Sequence, residues 1–328
     1  MELRWIDSGG TAHERAVGDL ADLLTQPDGW VWLDVAEPDE ASMASIQRTF
    51  GFHARAVHDC VERNHVPRLH YYHDYLFLVL HRPLAGVGGH VHYLELDQFI
   101  GANYLVTVHG PRNPAVALAS LLEETRDAAE RMRAGRLTPS TPYALSSAIV
   151  STLIRRQEEL VNHLANDVGL LEKRVMAQED TDPRGFLEEL FRVRHALLTV
   201  RTMCSQSREV YGRASTVMTN APTGVITSLV DILDQYDRVA RISDSQLAFL
   251  QGVTDFYRAR TDTKMTIAAE RLAVIAAITL PVTATSSVVG MNVIVNDSTH
   301  VGLLVVLLVL MAAMSLILLR WAKRQGWW

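Results

Sequence analysis

The hydrophobic pattern along the chain falls into three regimes. From Trp30 to about His109, short apolar runs are broken by Gly and Pro, and the region reads as mixed α/β. Trp30 to Asp34 has a strand pattern. Pro38-Asp39-Glu40 opens a helix with Met43, Ile46 and Phe50 on one face, and Gly51 ends it. Tyr75 to His81 is apolar on both faces, as a central strand is. His90 to Ile100 alternates and predicts another strand, entered through Gly86, Gly88 and Gly89, and Tyr104 to His109 predicts a third. Pro111 and Pro114 close the sheet region. Ala115 to Arg133 reads as an amphipathic helix, and Gly135, Pro139 and Pro142 mark a boundary.

From Tyr143 the period becomes helical. Ala144 to Gln178 predicts one long helix with acids and bases interleaved. Glu179 to Pro183 breaks it, with Asp182 and Pro183 placed as cap and first turn of the next. That helix runs to about Arg213, with Leu190, Val193, Leu197, Val200 and Cys204 on one face, and the two form a helical hairpin. After the break at Ala221 to Gly224, nothing stops a helix until Pro281, and a proline is tolerated inside a membrane helix. Val225 to Val289 therefore predicts one continuous helix, roughly 100 Å long at 1.5 Å per residue. Val230, Leu233, Ala240 and Leu247 recur near seven-residue spacing, a stripe for packing on other helices. Ala268, Ala269, Ala273, Ala276 and Ala277 allow close approach.

The third regime is two uncharged runs, each about 19 residues, the length a helix needs to cross a bilayer. The first ends at Gly290-Met291-Asn292 and the second spans Val301 to Leu319. Lys264 and Arg271 flank the first run; Arg320, Lys323 and Arg324 flank the second. The loop between, Val293 to His300, has no Lys or Arg, so charge bias puts both termini in the cytosol and the loop outside. Trp321, Trp327 and Trp328 suit the interface. The expected fold class is α+β: a cytosolic domain of mixed sheet and flanking helices, then long helices, then two C-terminal transmembrane helices. The expected divisions are 1–140 (α/β domain), 141–220 (hairpin), 221–271 (stalk), 272–292 (first span), 293–300 (outer loop), 301–319 (second span) and 320–328 (basic tail).

Composition adds little. The 328 residues carry a net charge of −6, which gives no reason to expect nucleic acid as a partner. The N-terminus has no apolar signal segment. Cys60 and Cys204 make neither a disulfide framework nor a metal-type pair, and read as buried cytosolic thiols. No Walker loop, dinucleotide turn, nucleophile elbow or Cys-based zinc pattern is present, so no enzyme is read here.

Two spans in one chain cannot enclose a pore, whereas several copies can, with the long helix as inner wall. Counting back from Gly290 in steps of 3 and 4 gives that wall: Ser287, Thr283, Leu280, Ala276, Ala273 or Leu272, Ala269 and Thr266. Hydroxyls at Thr283 and Ser287 are placed to solvate an ion, and Leu280 and Leu272 to gate by dewetting. The plainer alternative is that these hydroxyls bond back to their own helix. Asn292 at the outer mouth is an amide suited to a cation still wearing its waters, as Mg2+ does; a Gly-Asn helix cap is the alternative. The long helix also carries acids with no obvious local partner, which otherwise read as a solvated face. His90 and His92 point the same way on a strand, with Glu95 near, either as a metal site or as plain surface.

Pro281, Gly290-Met291-Asn292, two helices at the extreme C-terminus and the closing Lys323-Arg324-Gln325-Gly326-Trp327 resemble the CorA family of divalent-cation channels. The resemblance implies a funnel-shaped homopentamer in the cell membrane that passes Mg2+ passively down the membrane potential and closes when intracellular Mg2+ is high. It implies a filter of Gly290, Met291 and Asn292. Asp231 and Asp234 resemble the family's Asp-x-x-Asp, and Asp255-Phe-Tyr257 its Asp-x-Tyr. It further implies that Asp59 of one subunit faces Asp255 of the next across a regulatory Mg2+, with Asp231 and Asp167 at a second site. There are departures. Family members commonly have Asn where Thr266 stands and Met where Ala269 stands. His58 replaces an acid beside Asp59, and the outer loop has only Asp297 and His300 to concentrate cations. Transport of Zn2+, Co2+ or Ni2+ on the same scaffold is the first alternative, although the zinc-transporting branch usually lacks an intact Gly-Met-Asn. A membrane-anchored sensor or scaffold that transports nothing is the alternative of another class.

Overall fold

The computed structural model describes residues 1–177, 182–217, 223–292 and 301–324. The chain forms two compact units, Met1–Gly252 and Val253–Trp328. The first unit is built on seven strands: β1 (Glu2–Asp7), β2 (Ala12–Arg15), β3 (Gly29–Val35), β4 (Arg68–Tyr71), β5 (Tyr75–Ala85), β6 (Val91–Gly101) and β7 (Tyr104–His109). Their order is β2-β1-β3-β7-β6-β5-β4. β3 and β7 pair in parallel, and every other neighbouring pair is antiparallel. The order follows from the connections: short turns give hairpins, and a parallel neighbour needs a long crossover.

Short helices α1 (Leu20–Leu23), α2 (Glu40–Phe50) and α3 (Ala54–Asp59) accompany the sheet. α2 is fixed at both ends. Asp39 and Ser42 form a reciprocal capping box, and Gly51 takes φ 72° to stop the helix. One sheet face carries Leu33, Val35, Phe77, Val79, Phe99, Val106 and Val108 against Met43 and Ile46 of α2 and Ala56 and Val57 of α3, all buried. Phe52 stacks on Phe99 at 4.0 Å between centroids. Helices α4 (Leu118–Leu121), α5 (Glu123–Arg133), α6 (Pro142–Ala177) and α7 (Pro183–Val217) follow. Gln157 of α6 donates to the His81 carbonyl of β5 at 2.9 Å, and the Cys204 thiol of α7 donates to Gln157 Oε1 at 3.2 Å. Both cysteines are buried free thiols.

α8 (Thr223–Asn292) is one helix of 70 residues with Pro281 inside it, and α9 (Val301–Arg324) follows. Both are long and apolar enough to cross a membrane.

Several expectations are corrected. β1, β2, β4 and α3 had no predicted counterpart. β1 is nearly all buried yet carries Arg4, and β2 and β4 have four residues each, too short to show a period. β6 does not alternate: it is buried almost throughout because strands flank both of its edges and helices cover both of its faces. The helix over 115–133 is two, α4 and α5, with Leu122 off the helical region at φ −98°, ψ 5°. Asp182 does cap α7, accepting from Gly185 N at 3.1 Å. The stripe on α8 is displaced in part: Ala240 is buried as expected and Leu233 and Leu247 are half-buried, but Val230 is 47% exposed, and Val225, Leu229, Ile232, Tyr236, Val239, Ser243 and Leu250 are the buried line. A seam at alternating steps of 3 and 4 meets the requirement better than strict sevens do. The breaks at 178–181 and 218–222, the outer loop 293–300 with Asp297 and His300, and the tail 325–328 lie outside the described residues.

Candidate functional site

Within the second unit, α8 presents two different faces. Val274, Ile278, Pro281, Val282 and Thr285 are partly covered and recur at helical spacing. α9 has one matching covered stripe: Leu307, Met311, Met314, Ser315, Leu318 and buried Ala322. At about 100° per residue, the uncovered residues Ala269, Leu272, Ala276, Leu280, Thr283 and Ser287 cluster on the side of α8 opposite its covered stripe. Thr266 lies near that line and is also exposed. Leu272 and Leu280 are 66% and 67% exposed. The face predicted to line a pore is thus left open by its own chain.

The hydroxyls on this helix bond back to it. Thr266 Oγ1 donates to the Asp262 carbonyl at 3.0 Å, and Thr283 Oγ1 to the Thr279 carbonyl at 2.8 Å. For Thr283 the alternative is therefore correct as geometry, but it does not remove a role. A hydroxyl whose proton is committed to the backbone presents only lone pairs outward, which is what a cation's shell requires. Gly290 lies inside the helix, exposed, with open space where a Cβ would stand. It is not among the glycines with positive φ, so it does not form a left-handed cap. The backbone is helical through Asn292. The side chains of Met291 and Asn292 are outside what is described.

The acids sort by partner. Arg201 of α7 holds Asp244 and Arg208 holds Asp237 at 3.0 Å, which ties α8 to α7. Asp231 is exposed and accepts from its own-helix neighbour Gln235 at 2.9 Å. Asp234 is exposed too. Asp255 is 60% exposed with Arg258 Nη1 at 3.8 Å. Asp167 is half-buried on α6. Asp59, the last residue of α3, is buried, and its Oδ2 faces Arg68 Nη1 at 3.5 Å. Among the described residues, no three His, Cys, Asp or Glu side chains gather within reach of one metal ion.

His90 and His92 are neighbours, with ring centroids 4.7 Å apart, and His92 Nδ1 lies 3.3 Å from Asn113 Nδ2. Glu95 does not join them. Its odd position turns it to the other face of β6, where its oxygens accept from Asn64 N at 2.8 Å and Asn64 Nδ2 at 3.0 Å. The expectation that Glu95 stands near the histidines is corrected by strand parity.

That other face holds a polar cluster the sequence reading missed. Glu95 and Asp97 are buried side by side in period 2, with His81 opposite Glu95 across the β5–β6 ladder. Both oxygens of Asp97 lack a hydrogen-bond partner among the described residues. Burial pushes Glu95 up to about 7 and raises Asp97 well above the carboxylate range, and it lowers His81 to about 4. The visible signal was there: Glu95 and Asp97 interrupt a strand otherwise built from Leu, Phe and Ile. A second buried pair, Asp34 and His109 at 3.0 Å, sits across β3 and β7. Burial works to raise Asp34, but the His109 charge and hydrogen bonds from His109 and Thr107 outweigh it and hold Asp34 low.

Comparison with known proteins places this geometry. A family model described as CorA-like Mg2+ transporter protein matches residues 27–324. The CorA magnesium transporter from Methanocaldococcus jannaschii has the same fold at 14% identity, covering 100% of this chain and 99% of that one, with a TM-score of 0.82. The full-length CmaX protein aligns over 100% of this chain and 98% of its own at 16% identity and a TM-score of 0.75. The ZntB cytoplasmic domain from Vibrio parahaemolyticus RIMD 2210633 aligns over 80% of this chain and 98% of its own, at 11% identity and a TM-score of 0.60. Among curated proteins, none matches the chain.

Proposed function

The chain belongs to the CorA-like Mg2+ transporter family, and from that premise we propose that it is a passive Mg2+ channel, a symmetric homopentamer in the cell membrane with both termini in the cytosol. The observation that carries this reading is the open face of α8. Thr266, Ala269, Leu272, Ala276, Leu280, Thr283 and Ser287 point away from the stripe that their own unit covers. A face with Leu272 and Leu280 set among small residues, and hydroxyls at Thr266, Thr283 and Ser287, is costly to leave in water. Around a symmetry axis, it becomes a pore wall with apolar constrictions and oxygen-lined steps. Gly290, Met291 and Asn292 form the filter at its outer end, where carbonyl and amide oxygens meet a hydrated cation. Oxygen donors and a ligand shell that spares the ion's waters favour Mg2+ over the softer Zn2+, Co2+ and Ni2+.

Regulation belongs to the acids that α7 does not neutralise. Asp255 is well exposed and able to face a neighbouring subunit, and its carboxylate suits a hard cation. Asp59 fits less simply, since Arg68 competes for it. In this reading, Asp59 and Asp255 of adjacent subunits hold a regulatory Mg2+ that favours the closed arrangement, and Asp231 with Asp167 contributes a second, weaker site. The division into soluble domain, hairpin, stalk, spans, outer loop and tail follows the same reading. The test is flux. Purified protein in liposomes is expected to pass Mg2+ in preference to Co2+, Ni2+ and Zn2+ under an inside-negative potential. A preference for Zn2+ would give the second reading, and the absence of any flux would leave an anchored sensor.

A further inference from the structure

A cavity of about 370 Å³ opens on the first unit between the α3–β4 segment and α7. Arg55, Arg68 and Arg213 enter it with His70 and Gln206, against one acid, Glu209. Val66, Pro67, Leu69 and Val210 supply an apolar wall. The fold assembles this set from separate elements. Gln206, Glu209, Val210 and Arg213 share one face of α7 at steps of 3, 1 and 3. Arg68 and His70 share one side of β4, and Arg55 comes from α3. Glu209 is taken up by Arg213, one turn along the helix. Arg55 makes no ion pair among the described residues. The cavity therefore keeps uncompensated positive charge beside an apolar surface.

We propose that this cavity binds a phosphate-bearing anion with an apolar ring, a nucleoside di- or triphosphate, and that Arg68 couples its occupancy to Asp59. The chemistry is specific. Planar guanidinium forks match phosphate oxygens in pairs; Arg55 is open to a phosphate, which would compete with Asp59 for Arg68 and with Glu209 for Arg213. The volume is that of a small-molecule site rather than of a lone phosphate, and the Val66, Pro67, Leu69 and Val210 wall gives a base something to lie on. The coupling follows from one distance. Arg68 Nη1 stands 3.5 Å from Asp59 Oδ2 while the same side chain lines the cavity. A phosphate that engages Arg68 draws it from Asp59 and leaves a half-freed carboxylate for a cation. This second half rests on the regulatory role proposed for Asp59; the binding site itself does not.

The experiment is calorimetric titration of the intact protein in detergent with ADP, pyrophosphate and adenosine, in EDTA. ADP is expected to bind saturably, more tightly than pyrophosphate, with adenosine weakest. Arg55→Ala with Arg213→Ala, which removes two guanidiniums, should weaken ADP by about tenfold or more, a decade being about 1.4 kcal/mol. Glu209→Gln should tighten it, a gain that misfolding cannot imitate. No saturable ADP binding, equal binding of pyrophosphate, or affinities unmoved by these substitutions overturns the site. The coupling is read separately, as protection of the protein from limited proteolysis at buffered free Mg2+. ADP should lower the Mg2+ needed for protection in the wild type and not in Arg68→Gln. If ADP binds but leaves that midpoint unmoved, the coupling through Arg68 is overturned. If the wild type shows no Mg2+-dependent protection, the regulatory reading of Asp59 fails, and the titrations in EDTA still judge the cavity.

Discussion

The two units of this chain treat apolar and charged groups in opposite ways. In Met1–Gly252, a seven-stranded sheet is covered on both faces, and even charges are inside: Arg82 reaches Glu124 at 2.5 Å, and Asp34 meets His109 at 3.0 Å, all four buried. In Val253–Trp328, large apolar side chains stand in the open, Leu280 at 67% and Ile317 at 67%, and the Thr266 and Thr283 hydroxyls bond to the backbone of their own helix. The first unit is solved within one chain. The second is not: its exposed apolar surface needs an apolar surrounding that its own unit does not supply. Exposed apolar residues mark an unfinished environment there, whereas the first unit takes polar groups inside and pairs many of them, with Asp97 left unpartnered among the described residues.

The comparison breaks most visibly at the filter. Asn292→Ala is expected to bring Mg2+ flux in liposomes down to that of empty vesicles while the protein still assembles, as judged by its elution volume. Wild-type flux and selectivity at equal protein level would remove Asn292 from the filter.

The same apolar truncation should have different meanings in the two units. Phe99→Ala, with Phe99 fully buried in a stack with Phe52 and Phe77, should cost about 3–5 kcal/mol of stability. Leu280→Ala should leave the thermal transition of the soluble unit within about 0.5 kcal/mol, yet raise resting flux by widening an apolar constriction. Intrinsic tryptophan fluorescence on heating, paired with the flux assay, separates the two. Equal thermal effects would mean that Leu280 is packed rather than pore-lining.

A third contrast concerns acids. Asp59→Ala with Asp255→Ala should raise the Mg2+ needed for protection from limited proteolysis by about tenfold and raise resting uptake, while Asp255→Lys should favour closure without Mg2+. The physical basis is that two carboxylates repel until a cation lies between them, and that a ligand shifts an equilibrium only by binding one state better. Identical protection curves for wild type and double variant would leave Asp59 as the buried partner of Arg68 and Asp255 as an exposed acid without a regulatory role.

What was legible in the sequence follows the same divide. The two apolar runs, the uninterrupted α8 and the α7 cap at Asp182 were plain, because length, charge asymmetry and capping chemistry are local. The open face of α8 was found by counting from Gly290, since a helix has one period. The failures are non-local. Four-residue β2 and β4 exist because β1 and β5 offer them edges, and no window of their own sequence says so. β6 lost its alternation to covering on both faces. Glu95 was assigned to the histidines by proximity in sequence, although strand parity puts it beside Asp97. The cavity with Arg55, Arg68 and Arg213 joins residues more than 150 positions apart, which a single sequence does not reveal. The filter reading rested on the resemblance more than on residue physics, since Gly-Met-Asn alone is a short string.

The smallest effect expected is the most diagnostic of the first unit's buried network. Burial raises the folded Glu95 to about 7 from an ordinary value of 4.5. The folded state therefore holds a proton that the unfolded state has lost between those values, so this group's contribution to stability is greatest at low pH and falls as pH rises toward 7. His81 acts in the opposite sense. Its folded value is lowered to about 4 from 6.5, so its contribution is present above 6.5 and is lost as pH falls toward 4. Over pH 5 to 6.5 the two slopes oppose each other, and the wild type should change little from this pair. Glu95→Gln removes one slope and keeps an acceptor for one of the two Asn64 N–H donors. Relative to wild type, the variant should gain stability as pH rises from 5 to 7.5, by an amount on the order of 1 kcal/mol, or a few degrees in the thermal transition. His81→Gln should do the reverse, gaining relative to wild type as pH falls. Thermal scans of wild type and both variants across that range, with ionic strength held fixed, give the sign directly. Parallel curves for all three would mean that Glu95 is ionised in the folded protein throughout, and that Asn64 rather than a proton neutralises it.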